Sequence, residues 1–483
     1  MKKLLAILLL AALLLTLFAA CGKDADKDGD NGNDPLKGKF SVGYGKAQIM
    51  PQNGASVVMD GHGPRDSVDF MDYLYVITVA ITDEAGDTVL FITADLSGDD
   101  ETLYKSVREA VRAKWDIPED HIYYGATHTH TAPNTLNNSP QNRAYRAHML
   151  EQVTVSVEAA LADRMPAEMY LGRTETENVN FVRRYWMKRP NGEQFLMGSN
   201  YNDRNLAGCT MVGHETEADP EMQLVKFTRE GGKSIMMVNW QAHAHMLGNV
   251  TSLSADYPGV LRETVEKDLG HLCVFYQGAS GNINPQSRIE KEQEIPTGEY
   301  RALGKKLAEY VAKAESGMTP AKTGKIQCKQ QIYAATVNHS QDDLKEVAAK
   351  IVDDYNQTKN YDAALKAGEK YGIYGYMEAS VIVARSKRDA TLDLELSVIA
   401  IGDLSFVTLP LEMFDISGMQ IKSQTPFEMT LILGHTGSVA RYAAPKQACD
   451  NGGYEVYNSL VVPGTAEEMV SRYLKGLNEL YNG

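Results

Sequence analysis

The chain has 483 residues and a formal net charge of −15; 43% of its residues are hydrophobic and 23% charged. That composition folds around a sizeable core and excludes global disorder, collagen-like repetition and a disulfide-stapled miniprotein. The negative balance leaves no generic basic face, so no nucleic-acid partner is expected.

The first twenty residues read as an address. Lys2 and Lys3 precede an apolar run from Leu4 to Phe18, and Ala19 and Ala20 precede Cys21. This predicts a secretory signal over residues 1–20. The ending Leu17-Phe18-Ala19-Ala20-Cys21 resembles a bacterial lipobox, which implies a lipid-modified Cys21 and an exported chain anchored to the bacterial cell membrane. An uncleaved span is disfavoured, because the run is shorter than the roughly 20 residues a transmembrane helix needs. Residues 21–39, rich in Asp, Lys, Gly and Asn, read as a solvated tether. Their acidic spacing lacks the closing Glu and helical flanks of a calcium loop. Residues 40–483 read as one large catalytic-type domain. Cys209, Cys273, Cys328 and Cys449 form no Cys-x-x-Cys pair, which excludes finger-type zinc and leaves one or two disulfides possible.

Within that domain Tyr73–Thr82 and Thr88–Asp95 predict strands joined by a turn at Glu84–Asp87. A helix over Glu101–Lys114 follows, stopped by Pro118, and then a short strand over His121–Ala126 that runs into His128-Thr-His130. The rhythm recurs. Ser234–Ala242 is a strand ending at His243, Tyr257–Leu269 a helix with Pro258 in its first turn, and Leu272–Tyr276 a strand ending in a polar loop. Arg301–Ala314 predicts a helix, and residues 340–384 an inserted helical segment. Leu392–Ile401 and Leu404–Leu409 are strands that end at Pro410-Leu-Glu412. The fold class is therefore α/β, with mixed sheets flanked by helices and function at strand ends.

Three strand ends carry His128, His243 and Glu412. Zinc hydrolases use about three His or carboxylate ligands and leave a position for water, whose pKa the ion lowers. His128 and His130 would project from one side of an extended strand. His243 and His245 offer the same choice, and the spacing alone leaves a metal site and hydrogen-bonded core histidines both open. Asp95 and Asp256 are candidate acceptors for ligand histidines.

The strings around these residues are more specific. Gly125-Ala-Thr-His-Thr-His-Thr-Ala-Pro133 resembles the Thr-His-Thr-His segment of the neutral/alkaline non-lysosomal ceramidase family. Asn239-Trp240 with the histidines after it, and Ser254-Ala-Asp-Tyr-Pro-Gly259, resemble its second-histidine segment. Leu409-Pro-Leu-Glu-Met413 resembles its Leu-Pro-Gly-Glu-Phe, and Tyr442 with Gly453-Tyr-Glu455 its C-terminal stretch. The resemblance runs from about Phe40 to Leu474. It implies one Zn2+ per chain, held by His128, His243, Glu412 and Tyr442, with His130 facing substrate. His245 and Tyr454 are the runners-up to His243 and Tyr442. One of Arg183 and Arg184 would orient substrate, and Arg184 is taken as the catalytic choice beside His130.

Two departures accompany the resemblance. The family's serine, proposed as nucleophile, falls at Gly278 here, with Ser280 nearby but out of register, which favours metal-activated water. The chain is also read as lacking the family's C-terminal immunoglobulin-like domain. The implied reaction is zinc-dependent hydrolysis of a linear amide, N-acylsphingosine or a related lipid-like N-acyl amide, to fatty acid and amine. The alternatives are a surface lipoprotein that binds a lipid or glycan in the same pocket, and a hydrolase of another amide or ester. A TIM-barrel amidohydrolase would not explain the Leu-Pro-x-Glu and Tyr-Glu segments.

Overall fold

The computed structural model describes residues 36–61, 65–98, 100–198, 206–437 and 441–483. The expected signal, the expected lipidation site at Cys21 and most of the expected tether lie outside the described residues. No helix among the described residues is long and apolar enough to cross a membrane.

The large sheet contains β1 (Ser41–Gln48), β2 (Tyr75–Thr82), β3 (Thr88–Ala94), β4 (Ile122–Ala126), β5 (Met165–Glu175), β6 (Glu221–Arg229), β7 (Ile235–Trp240) and β8 (Leu272–Gln277). Their order is β8-β7-β6-β5-β1-β2-β3-β4, and a short strand, Thr319–Ala321, pairs with β5. The pairings are antiparallel except at the two ends, where β3 runs parallel to β4 and β7 parallel to β8. A second sheet has the order β9 (Ile326–Thr336), β10 (Thr391–Ile401), β11 (Leu404–Leu409), β12 (Met429–Gly434), and β11 and β12 are again parallel.

The longer helices are α1 (Glu101–Arg112), α2 (Pro140–Ala162), α3 (Asp256–Asp268), α4 (Tyr300–Glu315), α5 (Lys345–Thr358), α6 (Tyr361–Glu369), α7 (Tyr376–Ser386), α8 (Asp415–Gln424) and α9 (Thr465–Asn482). Three of them close the parallel pairs as crossovers: α1 for β3 and β4, α3 for β7 and β8, α8 for β11 and β12. The chain thus uses one device three times, a hairpin followed by a strand-helix-strand crossover. Helices α5, α6 and α7 fill the connection between β9 and β10 around their own small cluster of Ala348, Ile351, Ile373 and Ile382.

The strands of the parallel pairs are buried on both faces, which is why they read as continuous β-branched and aromatic runs rather than alternating ones. Val79, Phe91, Val225, Val274, Phe406 and Leu431 pack between the two sheets. The outer faces are covered by α1 and α2 on one half of the large sheet, by α3 and α4 on the other, and by α9 on the second sheet. Helix α2 lies so close to β1 that a Cβ on Gly43 or Gly45 would fall 2.0 or 1.9 Å from a helix carbonyl oxygen, so only glycine fits there. In parallel pairs the carboxyl ends of both strands point the same way, and ligands bind beyond them. Here β3, β4, β7, β8, β11 and β12 all deliver loops to one end of the molecule. No disulfide links the described cysteines, Cys209, Cys273, Cys328 and Cys449, to one another.

Candidate metal centre

The loops at that end are tied together by short backbone ladders. Thr129 pairs in parallel with Ala244, and His130 N–H donates to Ala244 O at 3.0 Å, which brings the segment after β4 against the segment after β7. Glu412–Met413 pairs in parallel with Tyr442–Ala443, with Glu412 opposite Tyr442. Buried amides complete the assembly. Gln277 donates to Thr127 O (3.2 Å) and Ala242 O (2.6 Å), and Asn239 exchanges hydrogen bonds with the backbone of Ile432.

His128, His243 and Glu412 converge. Glu412 Oε2 lies 3.2 Å from His243 Nε2 and 3.7 Å from His128 Nε2. His130 Nε2 is 3.3 Å from His128 Nε2. The pairing of His128 with His130 does not come from an extended strand, as the sequence suggested. His128 adopts a left-handed backbone, φ 63°, and it is this bend that turns the two rings toward each other.

Both inner histidines have their other nitrogen committed. His128 Nδ1 sits 2.6 Å from Ser97 O, and His243 Nδ1 sits 2.9 Å from Ser280 O. A carbonyl oxygen only accepts, so each Nδ1 carries the proton and each Nε2 presents a lone pair. Burial reinforces the neutral form. It lowers His128 to about 4 and His243 well below the usual histidine value, with Arg183 adding to both. Asp95 and Asp256, the sequence's candidates for holding these rings, do not touch them. Asp95 is taken by Arg262 in a buried two-point pair at 2.8 and 2.6 Å, and Asp256 accepts from the N–H groups of Leu247 and Tyr257. Backbone carbonyls take the carboxylates' place.

The result is a cluster of acceptors with nothing to accept from. His243 Nε2 and Glu412 Oε2 are both buried without a hydrogen-bond partner, yet they face each other at 3.2 Å. Burial pushes Glu412 up to about 7, against the pull of Arg183, Arg441 and a hydrogen bond from Tyr442. Orphaned acceptors facing one another are costly unless a cation lies between them. Separations of 3.2–3.7 Å match donors spaced about 3.3 Å apart around a tetrahedral ion with bonds near 2.0 Å. The residues therefore fit a divalent metal, and the ligating atoms of His128, His130 and His243 lie within 4.8 Å of one another.

The remaining sequence candidates separate cleanly. His245 turns from the cluster to Asn284 Oδ1 (2.9 Å), so His243 is the inner histidine. Tyr442 stands beside Glu412, and its hydroxyl accepts from Arg183 Nη2 at 3.0 Å. Tyr454 packs edge-on against the Tyr442 ring. Arg183 is the arginine that reaches the site, braced by Glu455 (2.9 Å) and Gly281 O (2.8 Å). Arg184 is itself buried and is taken up by Glu215, Glu455 and the Gly452 carbonyl. Neighbouring side chains leave an extended segment on opposite sides, so only one of two adjacent arginines can face the metal cluster. A Cβ at Gly278 would come within 2.8 Å of Gln241 Oε1, so a side chain there would require Gln241 to shift. Ser280 serves through its carbonyl, and its buried hydroxyl has no partner.

The sequence reading missed His435. It ends β12, is buried, and lies flat on the His128 ring at 3.7 Å. The signal was present: a six-residue apolar strand after a helix, ending in histidine.

These features define a three-motif α/β fold with a buried His/Glu cluster at the strand ends, and the fold is shared with known proteins. The chain is homologous to the neutral ceramidase of Pseudomonas aeruginosa, 22% identical over 271 residues that make up 52% of this chain and 38% of that protein. The matched stretch is thus well under half of the relative's length. The fold matches two solved structures. One is described as ceramidase complexed with C2 (TM-score 0.68, 16% identity, 92% of this chain and 75% of that one). The other is neutral ceramidase from Pseudomonas aeruginosa (TM-score 0.68, 15% identity, 90% and 73%). No protein-family model matches the chain.

Proposed function

We propose that the chain is a ceramidase-like, zinc-dependent hydrolase of a linear lipid amide, exported and anchored to the membrane through Cys21. The observation that carries the reading is the pair of buried, unpartnered acceptors, His243 Nε2 and Glu412 Oε2, facing each other at 3.2 Å. His128, His243, Glu412 and Tyr442 would hold the ion. When bound, it would polarise the amide carbonyl and make water acidic enough to attack near neutral pH. His130 stands at the open side of the cluster, half-buried, where it can pass a proton to the leaving amine. Arg183, charged in its buried setting because Tyr442, Glu455 and Glu412 outweigh desolvation, is placed to steady the Tyr442 oxygen and negative charge developing beside it. The glycine at position 278, which offers no hydroxyl, supports attack by water rather than by a serine at that position.

The test uses purified protein and elemental analysis. One zinc per chain should accompany chelator-sensitive release of fatty acid from a short-chain N-acylsphingosine. His243→Ala should remove both the metal and at least 99% of turnover while leaving the melting temperature within a few degrees. Full turnover without metal would overturn the reading. Bound zinc with no release would move the substrate to another amide or ester.

A further inference from the structure

Arg441 holds a backbone conformation that an arginine does not favour. Its φ is 109°, outside the regions open to ordinary residues, and strain of this kind gathers at ligand-binding positions. The residue stands immediately before Tyr442. Its carbonyl accepts from Glu412 N–H at 2.9 Å, so the strained backbone belongs to the ladder that sets Glu412 opposite Tyr442. Arg441 is only half-buried, whereas His128, His243 and Glu412 are buried.

Its charge acts on two sides. Burial dominates the ionisation of Glu412 and Tyr454 at the cluster and of Tyr376 at the start of α7, and at all three Arg441 opposes it by favouring the charged form. The guanidinium therefore lies between the His/Glu cluster and the helical insertion. That side is aromatic. Tyr376 stacks on Tyr355 with ring centres 4.0 Å apart, and Tyr374 stacks at 4.8 Å on Tyr457, which shares a short helix with Tyr454. The two arginines on the other side are already answered, Arg183 by Glu455 and Arg184 by Glu455 and Glu215. Among the described residues no carboxylate clamps Arg441 in this way, and Glu412 would be shared with the bound cation. That leaves one positive charge beside the cluster for a ligand to meet.

We propose that Arg441 selects the substrate: it binds a carboxylate on the amine half of the amide and so favours acidic N-acyl amides over neutral ones. The inference rests on the reading of the cluster as the centre of a lipid-amide hydrolase. The acyl half of such a substrate is hydrocarbon, so a charge close to the scissile bond belongs to the amine half. An arginine fork takes both oxygens of a carboxylate, which a neutral hydroxyl cannot reproduce.

The test compares N-lauroylglycine with N-lauroylethanolamine, a neutral amide of nearly the same size, on zinc-loaded full-length protein. In the wild type kcat/KM for the acid should exceed that for the neutral amide roughly tenfold, the scale of one hydrogen bond to a charged group. Arg441→Gln should still bind zinc and lose the preference, chiefly through a higher KM for the acid. Arg441→Lys, which keeps the charge but not the fork, should recover part of it. Equal rates on the two amides in the wild type, or a faster neutral amide, would overturn the anion seat and leave the hydrolase reading standing. So would a preference that survives in Arg441→Gln. No turnover of either amide or of N-acylsphingosine by the zinc-loaded wild type would remove the lipid-amide reading and this inference with it.

Discussion

Two interiors lie next to each other in this molecule and are held by different forces. Between the sheets, Val79, Phe91, Val225, Val274, Phe406 and Leu431 meet as an apolar layer, with the Phe91 and Phe406 rings 4.4 Å apart. At the carboxyl ends of the same strands, the three crossover motifs are joined by polar groups. Arg262 reaches Asp95, Gln277 reaches Thr127, Asn239 reaches Ile432, and Asn282 reaches Asp415. Hydrophobic burial is non-directional and fixes how closely the sheets approach. Hydrogen bonds are directional and fix where each loop stops. A His/Glu cluster assembled from three motifs can hold a metal only if its donors are placed to within about half an ångström, and this one sits in the second interior. The middle motif is the hub, since each of these polar ties has one end on it.

The largest effect that separates the two interiors should come from the apolar one. Phe406→Ala removes a fully buried ring and should destabilise the fold by about 3–5 kcal/mol, read by denaturant unfolding. Metal affinity of the protein that remains folded should be unchanged. A loss of affinity in proportion to stability would mean that the two interiors are not separable.

The converse change is Gln277→Ala. Its amide holds Ala242 O and Thr127 O and accepts from Ala242 N–H at 3.1 Å, so it joins the stems of His243 and His128. Stability should fall by about 1–3 kcal/mol, less than for Phe406. Metal affinity should fall about 10- to 100-fold, the usual cost of losing a group that orients ligands. Isothermal titration of both variants crosses the two predictions: stability and affinity should move in opposite orders.

Much of the first interior was legible as sequence, because a parallel strand buried on both faces leaves an uninterrupted apolar run. The boundaries of β3, α1, β7, α3, β8 and β11 follow from such runs to within two residues or so. The ends of those runs pointed to His128, His243 and Glu412, and the resemblance added Tyr442. What stayed hidden depends on neighbours remote in the chain. The left-handed bend at His128 goes with long-range contacts, from its ring to Ser97 O and from Thr129 and His130 to Ala244. Which of Arg183 and Arg184 faces the cluster depends on the placement of Glu215 and Glu455. The partners of Asp95 and Asp256 are decided by the packing of α3. His435 repeats the strand-end pattern a further time, but no short motif surrounds it.

The smallest effect concerns Asp256, at the start of α3, and asks whether the polar interior counts it as a charge or as a neutral acceptor. Its carboxyl is fully buried, and burial pushes it up to about 7, with Asp72 adding and the N–H groups of Tyr257 and Leu247 opposing. In the unfolded chain it titrates near its ordinary value, about 3.9. Between roughly pH 4 and 7 the unfolded state has lost this proton while the folded state keeps it. The unfolded state therefore binds fewer protons, and the contribution to stability falls as pH rises through that window and levels off above it. Asp256→Asn carries no such proton, and asparagine tolerates the φ of 52° found there. The melting temperature of the wild type, relative to Asp256→Asn, should therefore drop between pH 5 and pH 8, by a few degrees at most. A gap independent of pH would mean that Asp256 is ionised throughout, held by its backbone donors alone, and that the polar interior tolerates an uncompensated charge.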